Sequence, residues 1–416
     1  MRTNYKRLGD YIEQVNVRNS ELRDIPLVGL SLNKVFIPSI ANTIGTNMAT
    51  YKIIKRNQFA YGPVTSRNGE KITIALFKDY DEALISQAYL PFKIVKTDKL
   101  LPDYLMMWFS RPEFDRYTRY KSHGSARETF DWTEMCDVLL PVPPIEEQEK
   151  IVAEYQAIEN KIKVNQQICE KLEATAQAIY KEWFVEFNFP FDFAQGKPDK
   201  NGKPYKDNGG KMVWNAELEK EVPEGWGVSS LGDYTTVKSG FAFKSEWWQS
   251  NGIPVIKIGN INNNTIDITT LDYVGGAKIE KAKSYIVQKG DIVIAMTGAT
   301  LGKIGLVPKF DSIILVNQRV GMFDLGENPI KKAPFLYTIL LSEYVQNEIK
   351  SVGGDSAQAN ISGGQIEEIK IILSSDHVID NFNEIGIPII ENILNKIQEN
   401  QKLTELKSLL LARMVK

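Results

Sequence analysis

The chain has few of the residues that most enzymes and secreted proteins rely on. Its 416 residues contain two cysteines, Cys136 and Cys169, and two histidines, His123 and His377. Cysteines this sparse exclude a disulfide scaffold and point to a reducing, cytoplasmic setting. So few histidines argue against a histidine-based metal centre or a histidine-dependent triad. No run of eighteen apolar residues occurs, so no membrane span and no membrane partner are expected. The opening "MRTNYKRLGDY" has no apolar core of the kind a secretory signal needs. There is no basic surplus either: the formal net charge is −2, whereas a protein that grips nucleic acid alone usually carries excess Lys and Arg. Any nucleic-acid role must rest on local patches or on partner subunits. What is present is an apolar fraction of 43%, enough for globular folding, and a length that suggests two to three domains.

The chain also contains a repeat. "LGDY" stands at Leu8–Tyr11 and again at Leu231–Tyr234, an offset of 223. "ISQAYLPFKIV" from Ile85 resembles "LVNQRVGMFDL" from Leu315, and Gln87 pairs with Gln318 at an offset of 231. The same offset carries Tyr104, Leu105, Trp108 and Phe109 onto Phe335, Leu336, Ile339 and Leu340, one apolar helix face in each copy. It also carries Ser125 onto Ser356, and Ile158, Ile162, Leu172 and Ile179 onto Ile389, Ile393, Leu403 and Leu410. A constant offset over so many residues marks an internal duplication. The change from 223 to 231 predicts a net gain of eight residues early in the second copy, placed in "GNINNNTIDITTLDYVGG".

Each copy opens with strand-like runs: "TYKIIKRNQFAYG" and "KITIALF", then "IPVIKIGNI", "DIVIAMTG" and "SIILVNQRVGMF". A helix follows, over 103–120 and 334–350, then a strand ("DVLLPVP", "EEIKIIL") and a long terminal helix. "PVPPIEEQEKI" starts the first long helix, with Pro144 at its first position and Glu146 and Glu147 at its positive end. Ile151, Tyr155, Ile158, Ile162, Asn165, Cys169, Leu172, Ala176, Ile179 and Trp183 alternate in steps of three and four, a heptad seam. Some forty helical residues span about 60 Å and need a partner of equal length. The partner is the helix over 376–416, with a stripe through Phe382, Ile389, Ile393, Leu403, Leu406, Leu410 and Met414, which Gly386, Pro388 and Lys396 interrupt. Pro388 is expected to kink or restart it. Asn165, Lys396 and Asn400 either fix the register of the pair or mark exposed turns. Between the copies, 197–211 reads as a lysine-rich surface linker.

No catalytic constellation emerges. "GATLGKIG" at Gly298 has the wrong glycine spacing for a phosphate loop and Ile304 where Ser or Thr belongs, so it reads as a tight turn. "NFPF" at Asn188 differs by one residue from the Asn-Pro-Pro-Phe tetrapeptide of amino-methyltransferases and reads as a segment packing its aromatics. "ELK" at Glu405 has a nuclease-like spacing but falls in a heptad, where such charge pairs are ordinary. The loops instead carry hydrogen-bonding side chains. The first copy offers Lys55, Arg56, Asn57, Tyr61, Arg67, Asn68, Lys71, Gln87, His123, Ser125 and Arg127. The second offers Lys257, Asn260, Asn262, Asn263, Thr297, Thr300, Lys303, Gln318, Arg319, Gln358 and Asn360. Arg reads guanine edges, Asn and Gln read adenine edges, and Lys positions phosphates.

"LLPVPPIEEQEKIVAEYQAIENKI", closing the first copy, and "VPEGWGVSSLGDY", opening the second, resemble the specificity (S) subunits of type I restriction–modification systems. The resemblance covers essentially the whole chain, although "SSDHVIDNFNEI" replaces the proline–glutamate–glutamine helix start in the second copy. It implies an α+β fold: two mixed α/β target-recognition domains, over 1–142 and 227–374, joined by two long antiparallel coiled-coil helices, over 143–187 and 375–416, with a linker over 188–226. The seam would hold Ile151, Tyr155, Ile158, Ile162, Leu172, Ile179, Ile389, Ile393, Leu403 and Leu410. The resemblance also implies a non-catalytic, sequence-specific DNA-binding subunit in the cytoplasm of a bacterium or archaeon. It would read an asymmetric bipartite target and scaffold two methyltransferase (M) subunits and the restriction (R) subunits. S-adenosylmethionine, ATP and Mg would sit on those partners, and this chain would hold no cofactor and no metal. Two other readings fit parts of the pattern: a coiled-coil interaction scaffold, and a remnant of a methyltransferase or restriction fusion.

Overall fold

The computed structural model describes residues 5–39, 44–66, 68–69, 71–124, 127–190, 204–276, 279–354, 359–374 and 376–415. It is mixed helix and sheet, and the chain divides into two compact units, 1–161 with 403–416, and 162–402.

The duplication is visible strand by strand. In the first unit, Ile12–Gln14, Leu90–Ile94, Phe59–Tyr61 and Ile74–Leu76 form one antiparallel sheet in that order. Phe36–Pro38, Leu27–Leu30, Glu82–Ile85 and Lys52–Lys55 form another, with its central pair parallel. The second unit repeats both sheets. Val237–Ser239, Val320–Phe323, Ile292–Ala295 and Ile304–Leu306 correspond to the first. Asp272–Val274, Ile253–Ile256, Ile314–Val316 and Ile286–Val287 correspond to the second, again with a parallel central pair.

The extra residues of the second copy fall where the offset places them. Five residues (31–35) join the first two strands of the parallel-centred sheet in the first unit, and fifteen (257–271) do so in the second. The surplus forms a hairpin, Ile261–Asn262 with Thr265–Ile266, that adds to the outer side of Ile304–Leu306. Part of the segment does have a counterpart, because Asp272–Val274 occupies the place of Phe36–Pro38.

The "LGDY" copies do the same structural work. Leu8 and Leu231 are fully buried, and each donates its amide at 2.8 Å, to the carbonyls of Val138 and Ile369. A single 3-10 turn follows in both, Leu8–Asp10 and Leu231–Asp233. A side chain at Gly9 would put its Cβ 2.8 Å from that of Cys136, so this turn needs glycine for close approach, and one at Gly232 would lie a tight 3.1 Å from the Cβ of Glu367.

The expected single helices over 103–120 and 334–350 are each two helices: Pro102–Phe109 and Pro112–Lys121, then Ala333–Leu340 and Glu343–Gly353. Pro112 cannot continue a helix from the preceding residue, and Ser342 caps a new one by accepting from the Val345 amide at 3.3 Å. The expected apolar face is buried in both copies.

The long helices run Ile145–Tyr180 and Asp376–Arg413, and the first closes in a π turn, Lys181–Val185, that buries Trp183 and Phe184. Pro144 is the residue before the first helix rather than its first residue, since its carbonyl accepts from Glu147 and Gln148. They pair antiparallel: within the second unit Asn165 meets Asn400, and Trp183 meets Phe382. Every first-helix seam position is buried or half-buried. The second stripe follows a different phase from the expected one. Ile379, Asn383, Gly386, Ile390, Ile393, Ile397, Asn400, Thr404, Lys407, Leu411 and Met414 alternate in threes and fours, all at least half-buried, while Leu406 is exposed and Leu403 and Leu410 lie to one side. The phase was hidden because the inward positions near the centre are polar. Asn165 Nδ2 donates to Asn400 Oδ1 at 2.9 Å, and Lys407 Nζ lies 2.7 Å from Glu159 Oε1 and 5.0 Å from the Tyr155 ring centre. Pro388 does not restart the helix; it sits on an exposed face, where the lost bond is tolerated.

The described part of the linker is not simply surface. Met212–Asn215 and Lys220–Pro223 form a hairpin. Phe187, Phe189, Tyr205 and Trp226 are buried beneath it, with Phe189 stacked 5.0 Å from Trp226 and 4.7 Å from Tyr205. "NFPF" therefore does pack its aromatics. Lys197 and its neighbours up to 203 lie outside the described residues.

Candidate nucleic-acid interface

Strand direction decides which candidate side chains can act together. In the second unit, Ile292–Ala295 leads into the turn 296–303, and Ile314–Val316 leads into 317–319. Backbone hydrogen bonds stitch these turns to their neighbours. Met296 N donates to Arg319 O at 3.0 Å, Gly298 N to Ala359 O at 2.8 Å, Gln318 N to Phe241 O at 2.9 Å, and Asn317 N to Ile256 O at 2.9 Å. Gly298 and Gly302 both have positive φ, which makes the tight turn possible. One end of the sheet thus gathers Lys257, Thr297, Thr300, Lys303, Gln318, Arg319 and Asn360. Of these, Lys303, Gln318, Arg319 and Asn360 are exposed. The Thr300 hydroxyl is used locally, donating to Thr297 O at 3.3 Å. Lys257 is engaged as well: its ammonium lies 3.6 Å over the Trp248 ring and 2.6 Å from Asp272.

The first unit has the corresponding end. The loop 62–73 is tied to 122–130 by Thr65 N to Glu128 O at 3.0 Å and Phe130 N to Pro63 O at 2.8 Å, in the places of Gly298–Ala359 and Ile361–Met296. The Tyr89 ring packs beside Gly62 and brings the turn carrying Gln87 to the same end. Asn68, Lys71, Gln87, His123 and Arg127 gather there. His123 is exposed, with Nε2 3.7 Å from Glu134, and Asn68 uses its amide on Val64 O at 3.2 Å.

Other candidates are placed differently. Tyr61 is fully buried, and burial pushes its hydroxyl pKa up, so it is a core residue. Asn260 is buried too: its Oδ1 accepts from Lys257 N at 2.8 Å and its Nδ2 donates to Thr270 O at 3.0 Å, which shapes the loop. Lys55, Arg56 and Asn57 lie at the opposite end of Phe59–Tyr61 from Gln87 and His123, and the two cations pair with Glu82 at 3.1 Å and Asp81 at 3.1 Å. Asn57 takes the positive φ of that turn. Asn262 and Asn263 shape the turn of the inserted hairpin, which rests on the first long helix through Asn264 and Glu173. Arg67, Ser125 and Gln358 lie outside the described residues.

Sequence reasoning missed two groups. Arg119 and Lys121 end the helix Pro112–Lys121 beside the 123–129 loop, paired with Glu128 and, at 3.2 Å, Glu134. Phe241, Phe243, Trp247, Trp248 and Tyr285 form a half-buried aromatic cluster next to Gln318, with Lys238 4.3 Å over Tyr285. The run "GFAFKSEWW" was the available signal. Among the described residues, no group of three or more His, Cys, Asp or Glu could hold a metal ion, and no helix is long and apolar enough to cross a membrane.

Known proteins resemble this chain in sequence and in fold. Residues 223–408 match the family described as type I restriction modification DNA specificity domain. The chain is 24% identical to the type I restriction enzyme HindI specificity subunit of Haemophilus influenzae, over 92% of this chain and 91% of that one. It is 25% identical to the MjaIX specificity subunit of Methanocaldococcus jannaschii, over 77% of this chain and 70% of that one. The fold is similar to the crystal structure of the S subunit of a type I restriction–modification system from M. genitalium, with a TM-score of 0.51 and 14% identity, covering 99% of this chain and 96% of that one. In sequence the chain is similar to type I restriction enzyme specificity subunits over most of its length, and its fold is similar to that of the solved S subunit.

Proposed function

We propose that the chain reads an asymmetric, bipartite DNA target, one half-site per recognition domain, and scaffolds two methyltransferase subunits and the restriction subunits around it. One observation carries this reading. Both units bring the same two turns to the same sheet end, and the side chains displayed there differ: Asn68, Gln87, His123 and Arg127 in one, Lys303, Gln318, Arg319 and Asn360 in the other. Equivalent position with different chemistry suits two readers of different base sequences. The near-neutral charge fits a subunit whose partners close around the duplex and neutralise much of the phosphate. Catalysis belongs to those partners: the methyltransferase would bind S-adenosylmethionine and flip the adenine, and the restriction subunit would use ATP and Mg. This chain sets register.

The test is DNA retention by the chain together with its methyltransferase subunits, across a salt series, on random and genomic fragments. The expected result is selective binding that weakens as salt rises but keeps its sequence preference. Binding with no sequence preference at any salt would overturn the reading.

A further inference from the structure

The loop 62–73 and the turn 296–303 are fastened to their domains at the same place by different side chains. Gly62 N donates to Thr73 O at 2.9 Å and Ala295 N to Lys303 O at 2.8 Å, so Thr73 stands where Lys303 does and Ile72 where Gly302 does. The offset of 231 carries Phe109, the last residue of its helix, onto Leu340. It carries Asp115, in the next helix, onto Gln346.

In the second domain one side chain makes the junction: Gln346 Nε2 donates to Gly302 O at 3.1 Å and to Leu340 O at 2.7 Å. In the first domain two side chains share it. Asp115 Oδ1 accepts from Ile72 N at 3.2 Å and lies 2.8 Å from Lys34 Nζ, which donates to Phe109 O at 2.6 Å. The division follows from chemistry. A carboxylate only accepts, so Asp115 cannot serve the Phe109 carbonyl and needs a cation to bridge to it. Lys34 reaches that place from the short 31–35 loop, with a φ of 60° that lysine rarely takes. In the second domain the 257–271 segment replaces that loop and leads into the hairpin on Ile304–Leu306. A glutamine amide donates by itself and closes the junction there without a lysine. Both junctions are shielded: the Lys34 and Asp115 side chains are 9% and 12% exposed, and Ile72 and Gly302 are buried. Each lies one residue from an exposed cation, Lys71 beside Ile72 and Lys303 beside Gly302.

We propose that Lys34 with Asp115, and Gln346, are positioning residues for DNA reading: each set fixes the base of its own recognition turn and thereby sets the discrimination of its own half-site. The inference rests on the reading of one half-site per domain. The two sets are exchangeable only when complete. Lys34→Met leaves Asp115 a nearly buried carboxylate without its cation. Adding Asp115→Gln gives the first domain the arrangement of the second, with an oxygen for Ile72 N and an amide for Phe109 O.

The test is methylation by the full chain with the methyltransferase subunits of its own system, on the mapped target and on sites with one base changed in either half. Lys34→Met should lower the preference for the correct half-site of the first domain at least about tenfold, the size of one lost base contact, and leave the other half-site's preference unchanged. Gln346→Met, similar in shape but without the two hydrogen bonds, should do the reverse. Lys34→Met with Asp115→Gln should return to within about threefold of the parent chain. Folded single variants that keep both preferences, or lower both equally, would overturn the proposal. So would a double variant that melts like the parent chain and discriminates no better than Lys34→Met. A Lys34→Met chain that does not fold must fold again once Asp115→Gln is added, and failure to do so would overturn the proposal equally. A parent complex with no half-site preference would remove the bipartite reading and this proposal with it.

Discussion

Two buried amide side chains make the structural equivalence of the domains testable at residue level. Gln148, fully buried at the start of the first long helix, accepts from Leu101 N at 3.0 Å and donates to Lys99 O at 2.8 Å and Pro143 O at 2.7 Å. It thereby caps the helix Pro102–Phe109. The second copy has no glutamine there, yet Asn383 does the same work one turn further on. Its Oδ1 accepts from Phe335 N at 2.9 Å, inside the helix Ala333–Leu340, and its Nδ2 donates to the Tyr234 hydroxyl at 3.2 Å. Changing Gln148 to Leu keeps an apolar side chain in the space but leaves the Leu101 amide without its acceptor. An orphaned buried donor costs about 1–3 kcal/mol, and the two carbonyls add to that, so the net is about 2–4 kcal/mol after the apolar gain. At about 1.4 kcal/mol per factor of ten, hydrogen exchange of 102–109 should speed up roughly 30- to 1,000-fold. Exchange of 333–340 should stay unchanged. Asn383→Leu should produce the reverse pattern. Acceleration below about threefold, or equal acceleration of both helices by either variant, would refute the capping argument.

Three further outcomes follow from the packing. Asn165→Leu alone should destabilise the helix pair by about 1–2 kcal/mol because it removes a partner from the Asn400 amide, whereas Asn165→Leu with Asn400→Leu should recover that loss in urea unfolding. Gly386→Ala should cost about 1–3 kcal/mol, since its Cβ would lie 2.4 Å from that of Pro334, while Gly364→Ala, with nothing within 4 Å, should be neutral or slightly stabilising by the same assay. Asp291 has its carboxyl pKa pushed up to about 6 by burial, with Asp324 adding to the effect against the Gln288 amide. A raised carboxyl pKa leaves stability whole below pH 4 and erodes it as pH rises toward 6. Asp291→Asn should therefore raise Tm by a few degrees at pH 7.5, and the gain should vanish near pH 4.

Much of the architecture was legible in the sequence because the duplication wrote it twice. A repeated "LGDY", a constant offset and a drift of eight residues were enough to find equivalent strands and the place of the insertion. The second heptad was misphased because Leu403, Leu406 and Leu410 look like a seam, while the true inward positions are Asn400, Thr404 and Lys407. Hydrophobic periodicity cannot see a polar layer whose partners sit more than 200 residues away. Tyr61 and Asn260 were candidates for the same reason in reverse: type and loop-like context favour exposure, and only the fold shows that one fills the core and the other braces a turn. The split of the candidates in the first domain into two sheet ends depends on strand direction, which spacing does not reveal.

The most direct test is a domain exchange read out on DNA. Residues 240–319, which carry Thr297, Lys303, Gln318 and Arg319, would be replaced by the equivalent segment of another specificity subunit, and methylated adenines mapped across host DNA with the methyltransferase partner unchanged. One half of the methylated sequence should change, with the other half and the spacing between them kept. Simultaneous change of both halves, or of neither, would contradict the assignment of one half-site to each domain.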